Sequence, residues 1–196
     1  YPTWRSEIAG PGLPRKQGRP YRSDYKNSEY FKFFNSILTN KKLINKLKEK
    51  KYKIVYCFHP IMKEQIIDHK SNYVVEYVSE IDYNDILNKA SLMVTDYSSL
   101  SFDFAYLKKP VIYAQFDNEK FFKEHIYLKD IYFDFNKDGF GDVERTPEKV
   151  VEQIINAIDN NCKMDKKYIG KVEKFFKYND NKNSERVYKE IIKLRK

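Results

Sequence analysis

LMVTDYSSLSFDFAYLKKPVIYAQF, residues 92–116, decides the reading of the fold. LMVT (92–95) and PVIYAQF (110–116) are short apolar runs rich in β-branched and aromatic residues, the composition of strands. Residues 99–108 between them read as a helix. Two strands joined by a helix are a parallel pair with a crossover. The alternation continues outward. Residues 28–51 place Tyr30, Phe31, Phe34, Ile37, Leu38, Ile44 and Leu47 three and four apart, a single long helix with lysines near its end, where the helix dipole favours them. YKIVYCF (52–58) is a strand, IMKEQIIDH (61–69) a short helix and YVVEYV (73–78) a strand. Asp82 caps a helix that runs through Ala90. Beyond the central stretch, IYFDF (131–135) is a further strand, Pro147 opens a helix to about Asn160, and two helices fill 165–195. The expected fold is α/β, with a Rossmann-like parallel sheet covered by helices on both faces, in one domain over residues 1–196.

The totals agree with this. The chain has 196 residues, 41% of them hydrophobic, enough for one core. No apolar run reaches the roughly 18 residues that a membrane span needs. The opening Tyr1-Pro2-Thr3-Trp4-Arg5 has no signal-peptide character, and with no starting Met the chain reads as part of a longer protein. Cys57 and Cys162 match no metal spacing and read as reduced thiols of a cytosolic protein. The net charge of +9 favours polyanionic partners, whether phosphorylated substrates, an anionic membrane surface or nucleic acid. Residues 9–27 form a basic loop with three of the six glycines and three of the seven prolines. It is not a P-loop, because the Gly-Lys-Ser/Thr ending is missing.

In open parallel sheets, ligands bind beyond the carboxyl ends of the strands. Three strand-end stretches therefore stand out: Thr3–Arg5, Cys57–Pro60 and Thr95–Ser99. Ser98 and Ser99, where a strand gives way to a helix, serve either as an ordinary helix cap or as hydroxyl donors to a phosphate. Asp103 is either solvated or accepts hydrogen bonds from a ribose or the neighbouring turn. His59 is either a satisfied structural histidine or a phosphate donor and general acid, since imidazole exchanges its proton near neutrality. Arg5 is either a surface residue or a phosphate clamp. Lys41–Lys53, seven lysines and one glutamate, is either a solvated helix face or a contact for anionic lipid. Asp96, Asp103 and Asp117 have no known cation-binding spacing, so no metal is expected.

Taken in order, Pro2-Thr3-Trp4-Arg5, Phe58-His59-Pro60, Val94-Thr95-Asp96-Tyr97-Ser98-Ser99, Phe102-Asp103-Phe104, Lys109-Pro110-Val111-Ile112-Tyr113, Asp117 and the DNKNSERV tail (180–187) resemble the CDP-glycerol glycerophosphotransferase family, the teichoic acid polymerases and primases of bacterial cell walls. The resemblance implies a GT-B fold of two Rossmann-like halves, with this chain as the carboxyl-terminal, donor-binding half, inactive alone. It implies transfer of glycerol phosphate from CDP-glycerol, or of ribitol phosphate from CDP-ribitol, to a polyol-phosphate or lipid-linked acceptor, with release of CMP and no cofactor. By the same resemblance His59 contacts the pyrophosphate and assists the leaving group. Ser98 and Ser99 bind phosphate, Asp96 and Asp103 order that loop or reach the donor, and Arg5 and Arg186 are phosphate or loop contacts. The family's second catalytic histidine belongs to a Trp-His-Gly type motif that this sequence lacks. The expected location is cytoplasmic, peripheral on the inner face of the membrane. Two other readings stay open: half of another GT-B enzyme using a UDP- or CMP-sugar, and a polyanion-binding module. The hydroxyl and acidic residues at the strand ends do not fit nucleic acid.

Overall fold

The computed structural model describes residues 1–9, 20–70, 74–80, 82–124 and 132–194. Most of the basic loop, including Arg15, Lys16 and Arg19, lies outside them, as do His125 and the start of the 131–135 stretch. The five described strands are β1 (Ile54–Cys57), β2 (Val75–Val78), β3 (Met93–Thr95), β4 (Val111–Ala114) and β5 (Gly141–Glu144). All pair in parallel, as β1–β2 and as β3–β4–β5. The helices are α1 (Ser6–Ala9), α2 (Glu29–Leu38), α3 (Lys41–Lys50), α4 (Tyr83–Lys89), α5 (Leu100–Tyr106), α6 (Asn118–Glu124), α7 (Pro147–Asp159), α8 (Lys166–Phe175) and α9 (Asn183–Lys193).

Strand β4 shows why the apolar runs are unbroken. All four of its residues are buried, but alternate ones serve different cores. Ile112 and Ala114 join Phe34, Leu43 and Ile154 under α2, α3 and α7. Val111 and Tyr113 join Met93 and Phe104 under α5 on the opposite face. A third cluster, with Phe133, Phe140 and Val172, seats α8. Each fully buried side chain of this size contributes about 1.5–3 kcal/mol.

Three expectations are corrected. The helix over 28–51 is two helices. Thr39 Oγ1 turns back to Asn35 O at 2.7 Å, and the Asn40 carboxamide accepts from Lys42 and Leu43 N–H at 3.0 and 3.2 Å, capping a new start. The stretch 61–69 is a 3₁₀ helix, Pro60–Asp68. Within 131–135, the described residues form no strand. The Asp134 carboxylate accepts from Asn136 and Lys137 N–H at 2.8 and 3.2 Å and turns the chain. The strand comes later, at Gly141–Glu144, a sequence with poor strand propensity that holds through pairing with β4. Gly141 packs so tightly there that a Cβ would lie 1.7 Å from Val111 O.

Candidate functional site

The amino-terminal residues run beside β3. Tyr1 N donates to Val94 O at 2.8 Å, Thr95 Oγ1 donates to Tyr1 O at 2.6 Å, and Thr3 N donates to the Asp96 carboxylate at 2.8 Å. This delivers Thr3 and Trp4 to the carboxyl ends of the strands. His59 stands there too, directly after the β1 strand, and so do Ser98 and Ser99 after β3. A pocket of about 340 Å³ opens between these segments, lined by Thr3, Trp4, His59, Ser98, Ser99 and Asp103, with Tyr1, Tyr83, Tyr97 and Leu100 completing its wall. Its size falls within the usual range for small-ligand sites, about 300–1,000 Å³. Four sequence candidates, His59 from one stretch and Ser98, Ser99 and Asp103 from another, thus share one cleft with Thr3 and Trp4.

Their local chemistry differs. Ser98 Oγ accepts from Leu100 N–H at 3.3 Å and so opens α5, whereas the exposed Ser99 makes no side-chain cap bond. Capping and a free hydroxyl are divided between the two serines. Asp103 is exposed at the pocket edge. His59 Nδ1 accepts from Ile61 N–H at 3.3 Å and caps the 3₁₀ turn. A neutral imidazole that accepts at Nδ1 carries its proton on Nε2, so the fold fixes the tautomer. The Trp4 ring lies 6.4 Å from the imidazole, centroid to centroid.

Arg5 is placed otherwise than expected, and Asp96 is buried beside it. Arg5 is only 5% exposed and points away from the pocket into the interior. Its Nε and Nη2 donate to the two oxygens of Asp117 at 2.6 and 2.9 Å, and Nη1 donates to Thr3 O at 2.7 Å. Nη2 also lies 3.0 Å from Asp96 Oδ2. That contact is out of hydrogen-bonding direction and acts as charge against charge. Phe121 covers the guanidinium, 4.6 Å from ring centroid to Cζ. Burial works against the Arg5 charge, but Asp96 and Asp117 more than offset it and leave its pKa raised. Asp96 is fully buried and also accepts from Tyr97 N–H at 2.6 Å. Arg186 is not in the pocket wall. It bonds Asp180 at 2.7 Å and fastens the start of α9, where Asn183 reaches Tyr106 Oη at 3.3 Å.

Thr3 and Trp4 are the pocket residues that residue-by-residue reading passed over in favour of Arg5. Thr3 Oγ1 is buried and has no hydrogen-bond partner among the described residues. An unpaired buried hydroxyl beside a cleft is a ready contact for a polar ligand.

Residues 1–193 match the profile of the family described as CDP-Glycerol:Poly(glycerophosphate) glycerophosphotransferase. The chain belongs to that family. Among its relatives in this glycerophosphotransferase family, the minor teichoic acid biosynthesis protein GgaB of Bacillus subtilis (strain 168) is 39% identical over 197 residues, 98% of this chain and 21% of GgaB. The teichoic acid ribitol-phosphate polymerase TarK of Staphylococcus aureus (strain NCTC 8325 / PS 47) is 30% identical over 146 residues, 71% of this chain and 26% of TarK. The chain therefore spans about a fifth to a quarter of these relatives. A solved structure of the wall teichoic acid polymerase TagF superposes with a TM-score of 0.62 at 21% identity, over 98% of this chain and 42% of that one. At that identity the likeness is one of fold, and it agrees with the parallel α/β architecture.

Proposed function

We propose that this chain is the donor-binding half of a two-half, GT-B type glycerophosphotransferase that takes glycerol phosphate from CDP-glycerol in teichoic acid synthesis. The observation that carries the reading is the pocket itself. In a chain of this family, hydroxyls (Thr3, Ser98, Ser99), an imidazole (His59) and a flat aromatic (Trp4) converge at the strand ends.

The serine hydroxyls and Thr3 Oγ1 donate to the pyrophosphate oxygens, and Asp103 receives hydroxyls of the ribose or the glycerol. An acceptor hydroxyl oxygen attacks the phosphorus that bears glycerol and gives up its proton to a base outside this chain, in the other half of the enzyme. The bond from that phosphorus to the bridging oxygen breaks, and CMP departs with the electron pair. His59 Nε2–H meets the charge developing on the leaving phosphate. Arg5 and Asp96 act as positioning residues that hold the Thr3 and Tyr97–Ser98 backbones in place, and Arg186 as a loop contact. The acceptor is a polyol phosphate or its lipid-linked form. The exposed Lys41, Lys42, Lys48, Lys51 and Lys53 lie against the anionic inner leaflet, a contact that sedimentation with anionic vesicles at low salt tests.

The deciding experiment is calorimetric titration of the full-length protein with CDP-glycerol, CDP-ribitol, CMP and a UDP-sugar. CDP-glycerol is expected to bind in preference to the UDP-sugar, and Ser98→Ala/Ser99→Ala to weaken it at least about tenfold, the worth of one hydrogen bond to a charged group. Equal affinity for the UDP-sugar, or no effect of the double substitution, overturns the reading. Preference for CDP-ribitol moves the substrate to the ribitol branch, to which TarK belongs by name.

A further inference from the structure

The 3₁₀ helix that follows His59 is nine residues long, Pro60–Asp68. Helices of this kind rarely run beyond about four residues, because their i→i+3 bonds have poor geometry. Side chains therefore decide where this one sits. With about three residues per turn, side chains three apart lie in line. His59, Met62, Gln65 and Asp68 are such a series, a ridge along the helix with His59 at its head.

The other three members of the ridge are gripped by one segment, residues 21–26 at the end of the basic loop. Met62 is buried in the same core cluster as Tyr25. Gln65 is 2% exposed. In the amide orientation that pairs both of its ends, it accepts from Arg22 N–H at 2.8 Å and donates to Arg22 O at 3.2 Å. Asp68 accepts from Tyr21 Oη at 3.1 Å and pairs with Lys26 Nζ at 3.2 Å. The next residue, His69, meets Tyr25 Oη at 3.2 Å. Arg22 also reaches the opposite wall of the strand-end pocket. Its guanidinium donates to Glu7 O, two residues beyond Arg5. One residue thus holds both the helix behind His59 and the strip that carries Thr3 and Trp4.

We propose that Gln65 is a positioning residue for the transfer reaction: its clasp on the Arg22 backbone sets the His59 imidazole against Trp4 and the donor phosphates. Gln65 itself does not line the pocket. Six residues at about 2 Å each put it about 12 Å from His59 along the helix, so it acts through the helix and not on the donor. The first turn passes the effect on. His59 O accepts from Met62 N–H at 2.7 Å and His59 Nδ1 from Ile61 N–H at 3.3 Å, so the ring moves with the helix and Nε2–H is aimed by it. Thr3, Ser98 and Ser99 stand on other elements and keep their places. Loosening the clasp therefore spares ground-state binding and weakens the contact made as charge develops on the leaving phosphate. Displacing a reacting group by about 1 Å costs up to about a hundredfold in rate. The proposal rests on the reading of His59 given under the proposed function.

The test is release of CMP from CDP-glycerol by the full-length protein, in a double-mutant cycle of Gln65→Met with His59→Ala. Methionine keeps the length of the side chain and removes both bonds to Arg22. Gln65→Met is expected to lower kcat at least about tenfold and to leave KM within about twofold. It is expected to add nothing to His59→Ala, because a residue that acts through His59 has no effect once the imidazole is gone. Val172→Ala, in the core that seats α8, is the control for lost stability, with a lowered urea midpoint and an unchanged kcat. Losses that multiply in the double variant overturn the proposal and leave the donor reading standing. So does a rise in KM without a fall in kcat, or an equal fall in kcat for Val172→Ala. Full activity of His59→Ala overturns the donor reading and the proposal together. Should Gln65→Met not fold, Asp68→Asn, which loosens the far end of the ridge, takes its place in the cycle with the same outcomes.

Discussion

Arg5→Lys separates a structural arginine from a ligand-binding one. In the fold, the Arg5 guanidinium spans both oxygens of Asp117, the Asp96 carboxylate and Thr3 O, all within 3.0 Å. Arg5, Asp96 and Asp117 are each no more than 6% exposed. Lysine offers one ammonium in place of a planar fork and reaches only one of the two carboxylates well. The other then stays buried and unpaired. Removing one partner of a buried ion pair costs about 3–5 kcal/mol, the expected loss for Arg5→Ala, and Arg5→Lys is expected to lose about half of it. With a urea slope of about 2 kcal/mol/M, Arg5→Ala lowers the midpoint of this domain's transition by roughly 1.5–2.5 M. Asp117→Asn gives the second side of a double-mutant cycle, with an expected coupling above about 1 kcal/mol. Urea unfolding and donor titration on the same variants complete the assay. An unchanged urea midpoint for Arg5→Lys, together with a tenfold loss of donor affinity, refutes the argument and makes Arg5 a phosphate ligand after all.

The remaining predictions draw on separate parts of the molecule. His69 sits among Phe31, Tyr56, Phe58 and Tyr77, and burial lowers its pKa to about 4. The unfolded chain takes up that proton near pH 6.5 and the folded chain only near 4, so the unfolded state holds more protons in between. The stability contribution is therefore complete above about pH 6.5 and is lost on acidification towards 4, by about 1–2 kcal/mol after allowance for partial solvent access. Urea midpoints across this range are expected to fall less for His69→Phe. Gly141→Ala drives a Cβ into the Val111 carbonyl and is expected to cost at least about 2 kcal/mol, read as a lowered melting temperature. Thr3→Val keeps the shape and removes the unpaired hydroxyl. It is expected to leave stability unchanged or higher and to weaken donor binding about tenfold in calorimetry. Arg186→Ala, at the surface, is expected to leave the urea midpoint nearly unchanged.

The sequence alone determined the alternation of apolar runs and amphipathic helices, and with it the parallel α/β class. Those signals are local: β-branched runs of strand length, Asp82 and Pro147 at helix starts, and a periodic apolar face on α7. It also pointed to His59, Ser98 and Ser99, because residues at strand ends and loop starts in such a sheet face the ligand side whatever packs behind them, whereas Asp103 comes to the pocket edge from within α5. Only the tertiary structure decided the rest. Strand β5, with its glycine and two acids, exists because β4 offers it a ladder, and no local propensity announces that. The break at Thr39–Asn40 depends on two side-chain bonds that compete with a good helical period. Arg5 is an arginine after a tryptophan in either reading. Its turn inward was set by Asp96 and Asp117, 91 and 112 residues away along the chain, whose carboxylates supply in the interior what a phosphate would supply at the surface.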